Sequence, residues 1–141
     1  MEALIHIDGG SRGNPGPAAA GVSITTPDGK DALFEAGYWL GKQTNNVAEY
    51  QGLLKSLEAA FQLGLVKVRV RSDSELMVKQ IKGEYRVKAP NLKPLFQDAQ
   101  VALSRFEAWS IEHVYREQNK RADQLANMAM DASDDVILGG D

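Results

Sequence analysis

The sequence predicts an α/β domain, a mixed five-stranded sheet with its first three strands antiparallel, flanked by about four helices. Three observations predict it. Residues 3 to 40 hold three β-patterned runs separated by turn residues; apolar spacing becomes helical from 44 to 64; and strand-like and helical segments alternate from there to 132.

The elements follow in order. Ala3 to Asp8 alternates and is rich in isoleucine, which reads as a strand. Ala18 to Thr26 is a second strand, closed by the turn Pro27-Asp-Gly29, and Leu33 to Leu40 is a third, so the three form a meander. Thr44-Asn45-Asn46 offers capping side chains, after which Val47, Leu53, Leu54, Leu57, Ala60 and Phe61 recur at helical spacing up to Gly64. Val66 to Arg71 alternates strictly and is the fourth strand. A short helix, Ser74 to Lys82, stops at Gly83, and a longer one runs from about Asn91 to Phe106. Trp109 to Tyr115 is the fifth strand and Asn119 to Ala132 the last helix. The segment 133–141 reads as a loosely held tail, with residues 1–132 as the folded domain. Trp39 and Trp109 are expected in the core, and His6 as a structural residue.

At 141 residues the chain has room for one sizeable core, and its 43% hydrophobic and 25% charged content is ordinary for a globular protein. With no cysteine, disulfides and thiolate metal sites are excluded. No apolar run approaches the roughly 18 to 20 residues of a membrane span, and the N-terminus lacks the basic start of a signal peptide. The expectation is a cytoplasmic monomer with no membrane and no protein partner. The net charge of −3 argues mildly against nucleic acid, yet Lys67 to Lys93 carries eight bases against three acids. Such a face still attracts a phosphate backbone, because screening acts over about 10 Å at ordinary salt.

The fourth strand, reached through a long helix, is expected parallel to the first by a right-handed crossover. Ligands of such sheets sit beyond the carboxyl ends of the parallel strands. Those ends carry acids: Asp8 after the first strand and Asp73 after the fourth. Glu49, early in the long helix, and Asp123, opening the last one, are placed for the same crevice. Taken singly, Asp73 and Asp123 also read as helix-start acids and Glu49 as a solvated helix face. Together, four carboxylates without a counterion repel one another, and a divalent cation removes the conflict. Hard oxygen donors without histidine or cysteine suit Mg²⁺ or Mn²⁺. A pair of such ions is a known device for in-line displacement at phosphorus.

Four motifs stand in order: Asp8-Gly-Gly-Ser-Arg-Gly-Asn-Pro-Gly16, Thr44-Asn-Asn-Val-Ala-Glu49, Ser72-Asp-Ser-Glu75 and Asn119-Lys-Arg-Ala-Asp-Gln-Leu-Ala126. In this combination the chain resembles ribonuclease H of type 1, over roughly residues 2 to 132. The resemblance implies that Asp8, Glu49, Asp73 and Asp123 bind two Mg²⁺ ions, with Mn²⁺ able to substitute, and that Asp8 bridges both. It implies an endonuclease that cuts the RNA strand of an RNA–DNA hybrid and leaves 5′-phosphate and 3′-hydroxyl ends. Gly9, Ser11, Asn14, Asn45, Asn46 and Ser74 match substrate-binding positions. Grip on 2′-hydroxyls would tell RNA from DNA without reading sequence.

Departures accompany the likeness. Some relatives carry a basic, tryptophan-containing protrusion or a separate hybrid-binding domain; here the corresponding loop is only Gly83 to Pro90. Relatives often have a mobile histidine before the last acid, for which His113 and Arg116 are rival candidates. Glu75 stands where glutamine is common. Three alternatives stay open: a binding module of weak catalysis, a nuclease of the same superfamily with another nucleic-acid substrate, and a phosphate-binding protein using the glycine turn as an anion cradle. The last leaves Glu49, Asp73 and Asp123 without a role.

Overall fold

The computed structural model describes residues 1–139. Six strands, β1 (Glu2–Ser11), β2 (Gly16–Thr25), β3 (Ala32–Gln43), β4 (Lys67–Ser72), β5 (Ala108–His113) and β6 (Val136–Gly139), form one sheet in the order β5-β4-β1-β2-β3-β6. β1, β2 and β3 are the antiparallel meander, and β4 and β5 run parallel to β1. Four helices accompany them: α1 (Asn45–Gln62), α2 (Glu75–Ile81), α3 (Lys93–Leu103) and α4 (Lys120–Ala132). A 3₁₀ turn, Arg116–Gln118, joins β5 to α4.

The five strands expected are therefore six. Ser133 adopts a left-handed conformation, φ 49°, which ends α4 and reverses the chain. The Asp135 carboxylate accepts the Trp39 N–H at 2.8 Å, and Val136 and Ile137 then pair antiparallel with Gly37 and Ala36. An edge strand with unpaired N–H and C=O groups recruits such a segment readily. Of the stretch 133–141 read as a loose tail, 136–139 is thus strand, and 140–141 lie outside the described residues.

Side-chain alternation sorts the core. Ala3, Ile5 and Ile7 of β1 and Val68 and Val70 of β4 meet Tyr50, Leu53 and Leu57 of α1, together with Met77, Ile81, Ala99 and Leu103. The other sheet face packs Ala122, Leu125, Ala126 and Ala129 of α4 over β2 and β3. Thr44 caps α1, its hydroxyl accepting the Val47 N–H at 3.2 Å; Gly64, at φ 78°, turns the chain out. Trp39 is half-buried, but Trp109, expected in the core, is 37% exposed. It sits at the start of β5, the edge strand, where no further strand covers it.

Two glycines set how closely the helices reach the sheet. A Cβ on Gly9 would collide with the Ala48 backbone and the Glu49 nitrogen of α1. A Cβ on Gly21 would collide with the Ala122 carbonyl oxygen of α4. Gly21 pairs with Asp8 across β1 and β2, so both helices close in at the level of that aspartate. Gly21→Ala must push α4 off the sheet, and is expected to cost about 3 kcal/mol, at the upper end for overpacking. Urea denaturation measures it, with Gly29→Ala, in an open turn at φ 78°, as a control costing about 1 kcal/mol.

Candidate active site

β1 outruns its parallel neighbour. The last β1–β4 pair is Ile7 with Ser72, so from Asp8 onward the β4 side of β1 opens into a cleft of about 500 Å³. Asp8 faces it from β1. Asp73 follows directly after β4, where the chain bends into α2. Ser74, not Asp73, caps that helix, its hydroxyl accepting the Met77 N–H at 3.3 Å, which leaves the Asp73 carboxylate to the cleft.

Glu49 comes from the second turn of α1 and is 9% exposed; its Oε1 accepts the Gly9 N–H at 2.6 Å. One carboxylate oxygen each from Asp8, Glu49 and Asp73 lies within 4.8 Å of the others. Asp123, in the first turn of α4, lines the same cleft and is close enough to Asp8 to help raise its pKa. All four predicted acids therefore converge, three tightly and Asp123 on the open side.

Hydrogen bonds that the sequence did not advertise fix this arrangement. The buried Asn119 donates from Nδ2 to the Ile7 carbonyl at 2.8 Å, which ties the start of α4 to β1 one residue before Asp8. The buried Tyr50 hydroxyl donates to Gln80 Oε1 at 2.6 Å, joining α1 beside Glu49 to α2 beyond Asp73. Asn119 had a signal, its place at a helix start; Gln80 had none, because a buried glutamine is recognised only by its partner.

Electrostatics reflect the crowding. Burial first, then Asp73 and Asp123, push the Asp8 carboxyl up to about 8. Glu49 is held well above the usual carboxylate range by burial and by Asp8 and Asp73, with the Gly9 N–H and Arg116 acting against it. Asp8, Glu49 and Asp73 supply only hard oxygen donors without a balancing cation among them, a set that fits a divalent metal.

The other predicted residues fall into two groups. Gly9, Ser11 and Asn45 line the cleft, as do His113 and Arg116. Asn45 Oδ1 accepts from both the Ser11 N–H, 2.9 Å, and hydroxyl, 3.0 Å, while the Asn45 N–H donates to Asn14 Oδ1 at 3.1 Å. Asn14, Asn46 and Ser74 lie outside the lining. His113 ends β5 with its ring edge-on to exposed Tyr115, 5.4 Å between centroids. His6 is half-buried in a separate cavity, and burial and Arg71 lower its pKa. Glu75 pairs with Lys79 one turn on, at 3.9 Å.

The family model described as "Reverse transcriptase-like" matches residues 6–129. The crystal structure of RNase H1 from Halobacterium salinarum superposes with a TM-score of 0.90 and 42% identity, covering 94% of this chain and 99% of that one. The chain belongs to the ribonuclease H family. Other members agree with this. The N-terminal RNase H domain of Rv2228c from Mycobacterium tuberculosis gives a TM-score of 0.91 at 45% identity over 94% of this chain and 96% of that one. An RNase H1 isolated from compost, solved in complex with an RNA/DNA hybrid, gives 0.89 at 43% identity over 93% and 98%. The chain spans 36% of the length of full Rv2228c, described as a bifunctional protein, and 63% of the H. salinarum ribonuclease HI sequence. Within the family fold, the cleft at the end of β1 is where this chain concentrates its acids.

Without metal, the folded Asp8 carboxyl titrates at about 8 against an ordinary 3.8, so its contribution favours folding at low pH and is lost as pH rises between those values. In chelator, the Tm is expected to fall as pH rises through that window. Asp8→Asn should flatten the slope and raise the Tm near pH 8; Mg²⁺ should raise the wild-type Tm there. Thermal melts at a series of pH values read all three, and equal slopes with and without the substitution would refute the assignment.

Proposed function

We propose that this chain is a metal-dependent endoribonuclease that hydrolyses the RNA strand of RNA–DNA hybrids. In this reading residues 1–132 are the catalytic domain, the ions are two Mg²⁺ with Mn²⁺ as substitute, and the ends are 5′-phosphate and 3′-hydroxyl. The observation that carries it is the approach of Asp8, Glu49 and Asp73 within 4.8 Å, with Asp123 in the same cleft. Support comes from the compost relative's hybrid complex.

Asp8, Glu49, Asp73 and Asp123 would hold the ions, and bound ions supply Lewis-acid stabilisation of charge on the reacting phosphate oxygens. The chain's own part is orientation. The Gly9 N–H fixes Glu49, Asn119 fixes Asp123 relative to Asp8, and the Ser11–Asn45 bonds hold the glycine turn against α1. Gly9, Ser11 and Asn45 present polar groups at the cleft where a sugar–phosphate backbone would lie. Asn14, whose Oδ1 accepts the Asn45 N–H, and Asn46, next to Asn45 in the chain, would extend that surface beyond the cleft lining, and Ser74 follows Asp73. Arg116 lies near enough to lower the Glu49 pKa, and His113 stands beside it, so each is offered as an auxiliary group at the exit of product. Of the basic stretch, Arg69 and Arg71 are paired with Glu2 and Glu112 and Lys79 with Glu75, which leaves Lys82 to Lys93 as the segment available to a second strand. No described helix is long and apolar enough to cross a membrane. A cytoplasmic monomer completes the proposal.

The test is cleavage of end-labelled RNA–DNA hybrid, double-stranded RNA and double-stranded DNA, each with Mg²⁺, Mn²⁺ or chelator. Metal-dependent cutting of the RNA strand of the hybrid alone is expected. Asp8→Asn should lower kcat at least about a thousandfold, equal to about 4 kcal/mol of transition-state stabilisation, while remaining folded. Cutting of another duplex would reassign the substrate. Silence from folded protein on all three would make the chain a binding module.

A further inference from the structure

Arg12 sits in the glycine turn between β1 and β2 and lines the acidic cleft, yet the motif around it gives it no role. Its Nη2 donates to Asp131 Oδ1 at 2.7 Å and to Asn127 Oδ1 at 3.2 Å. Asn127 and Asp131 lie four and eight positions after Asp123 on α4, and therefore on the same helix face. Asn127 in turn donates from Nδ2 to the Asp123 carbonyl at 3.0 Å.

A structural staple is the plain explanation, and the surroundings make it redundant. The turn is closed by its own backbone, Arg12 N–H to the Pro17 carbonyl at 2.8 Å, and is anchored to α1 through Ser11, Asn14 and Asn45. The Arg12 and Asp131 side chains are 49% and 71% exposed, so their ion pair is screened and easily exchanged. One nitrogen makes both contacts; among the described residues Nε and Nη1 make no hydrogen bond, which leaves a free edge of the guanidinium fork. That fork matches a phosphate's paired oxygens better than a single carboxylate oxygen uses it.

Charge points the same way. A polyanion entering a cleft with four carboxylates needs cations at its rim, and the lining holds two arginines, Arg12 and Arg116. We propose that Arg12 binds a backbone phosphate of the nucleic acid in the cleft, and that Asp131 occupies the guanidinium until substrate displaces it. Asp131 is then a competitor that lowers affinity in the free protein. The inference rests on the ribonuclease reading given above.

Opposite signs in two single variants distinguish this from a staple. Steady-state kinetics on an RNA–DNA hybrid at several salt concentrations would compare wild type, Arg12→Ala, Arg12→Lys, Asp131→Asn and the Arg12→Ala/Asp131→Asn double variant. Thermal melts would confirm that each is folded. Arg12→Ala is expected to raise KM about tenfold with kcat within about twofold. It should also make the dependence of log KM on log salt shallower by about one. Arg12→Lys should fall between Arg12→Ala and wild type. Asp131→Asn is expected to lower KM about threefold, and to lose that effect in the Arg12→Ala background. If both single variants raise KM alike, Arg12 is a staple and the proposal falls. It also falls if neither moves KM, or if Asp131→Asn acts equally without Arg12. A wild-type protein that cuts no hybrid would sink the ribonuclease reading itself, and this inference with it; the wild-type arm separates the two failures.

Discussion

The close approach of two helices to the sheet at one level of β1 is the constraint on which the site depends. Gly9 and Gly21 remove side chains from opposite faces of the sheet next to Asp8, so α1 closes in on one face and α4 on the other. That proximity lets Glu49 reach the Gly9 N–H, and brings Asp123 into the same cleft as Asp8. Neither acid lies near Asp8 in the chain. Their meeting is set by backbone packing, and the carboxylates follow.

The cost of this packing is electrostatic. Burial and mutual repulsion raise Asp8 and Glu49 far above ordinary carboxylates, so the protein holds an arrangement that its own side chains do not neutralise. Neutral hydrogen bonds hold it in place. Asn119 to the Ile7 carbonyl and Tyr50 to Gln80 are buried bonds that carry no charge into the site; the first ties the start of α4, which bears Asp123, to β1, which bears Asp8, and the second ties α1, which bears Glu49, to the helix that follows Asp73. A site crowded in this way suits a divalent cation, whose charge offsets the repulsion.

The sixth strand shows the same economy at the far edge. β6 pairs with β3, whose neighbour β2 carries Gly21, and the Asp135 carboxylate accepts the Trp39 N–H as the chain enters the strand. The edge opposite the cleft is thereby extended by the segment that follows α4, without a further helix.

Most of the fold was legible in the sequence. Alternation in Ala3 to Asp8 and in Val66 to Arg71, and helical spacing after Thr44, are local signals, because they record which side of a single element is buried. The four acids were legible for a related reason: Asp73 and Asp123 sit beside element ends, Glu49 within two turns of one and Asp8 where β1 outruns β4, although β1 itself continues to Ser11, and topology sends those positions to one end of the sheet. Tertiary structure alone decided the rest. Val136 to Gly139 is a strand only because β3 offers an unpaired edge, and Trp109 is exposed only because β5 is the opposite edge. The sequence offered Gly9 as a substrate-binding position; in three dimensions its missing Cβ makes room for Ala48 of α1. Arg12, Gln80 and Asn119 have partners 119, 30 and 112 residues away in the chain, and no periodicity reports a contact at that distance. Sequence determined which residues each element presents, since that depends on neighbours along the chain; only the packed structure decided which of them meet.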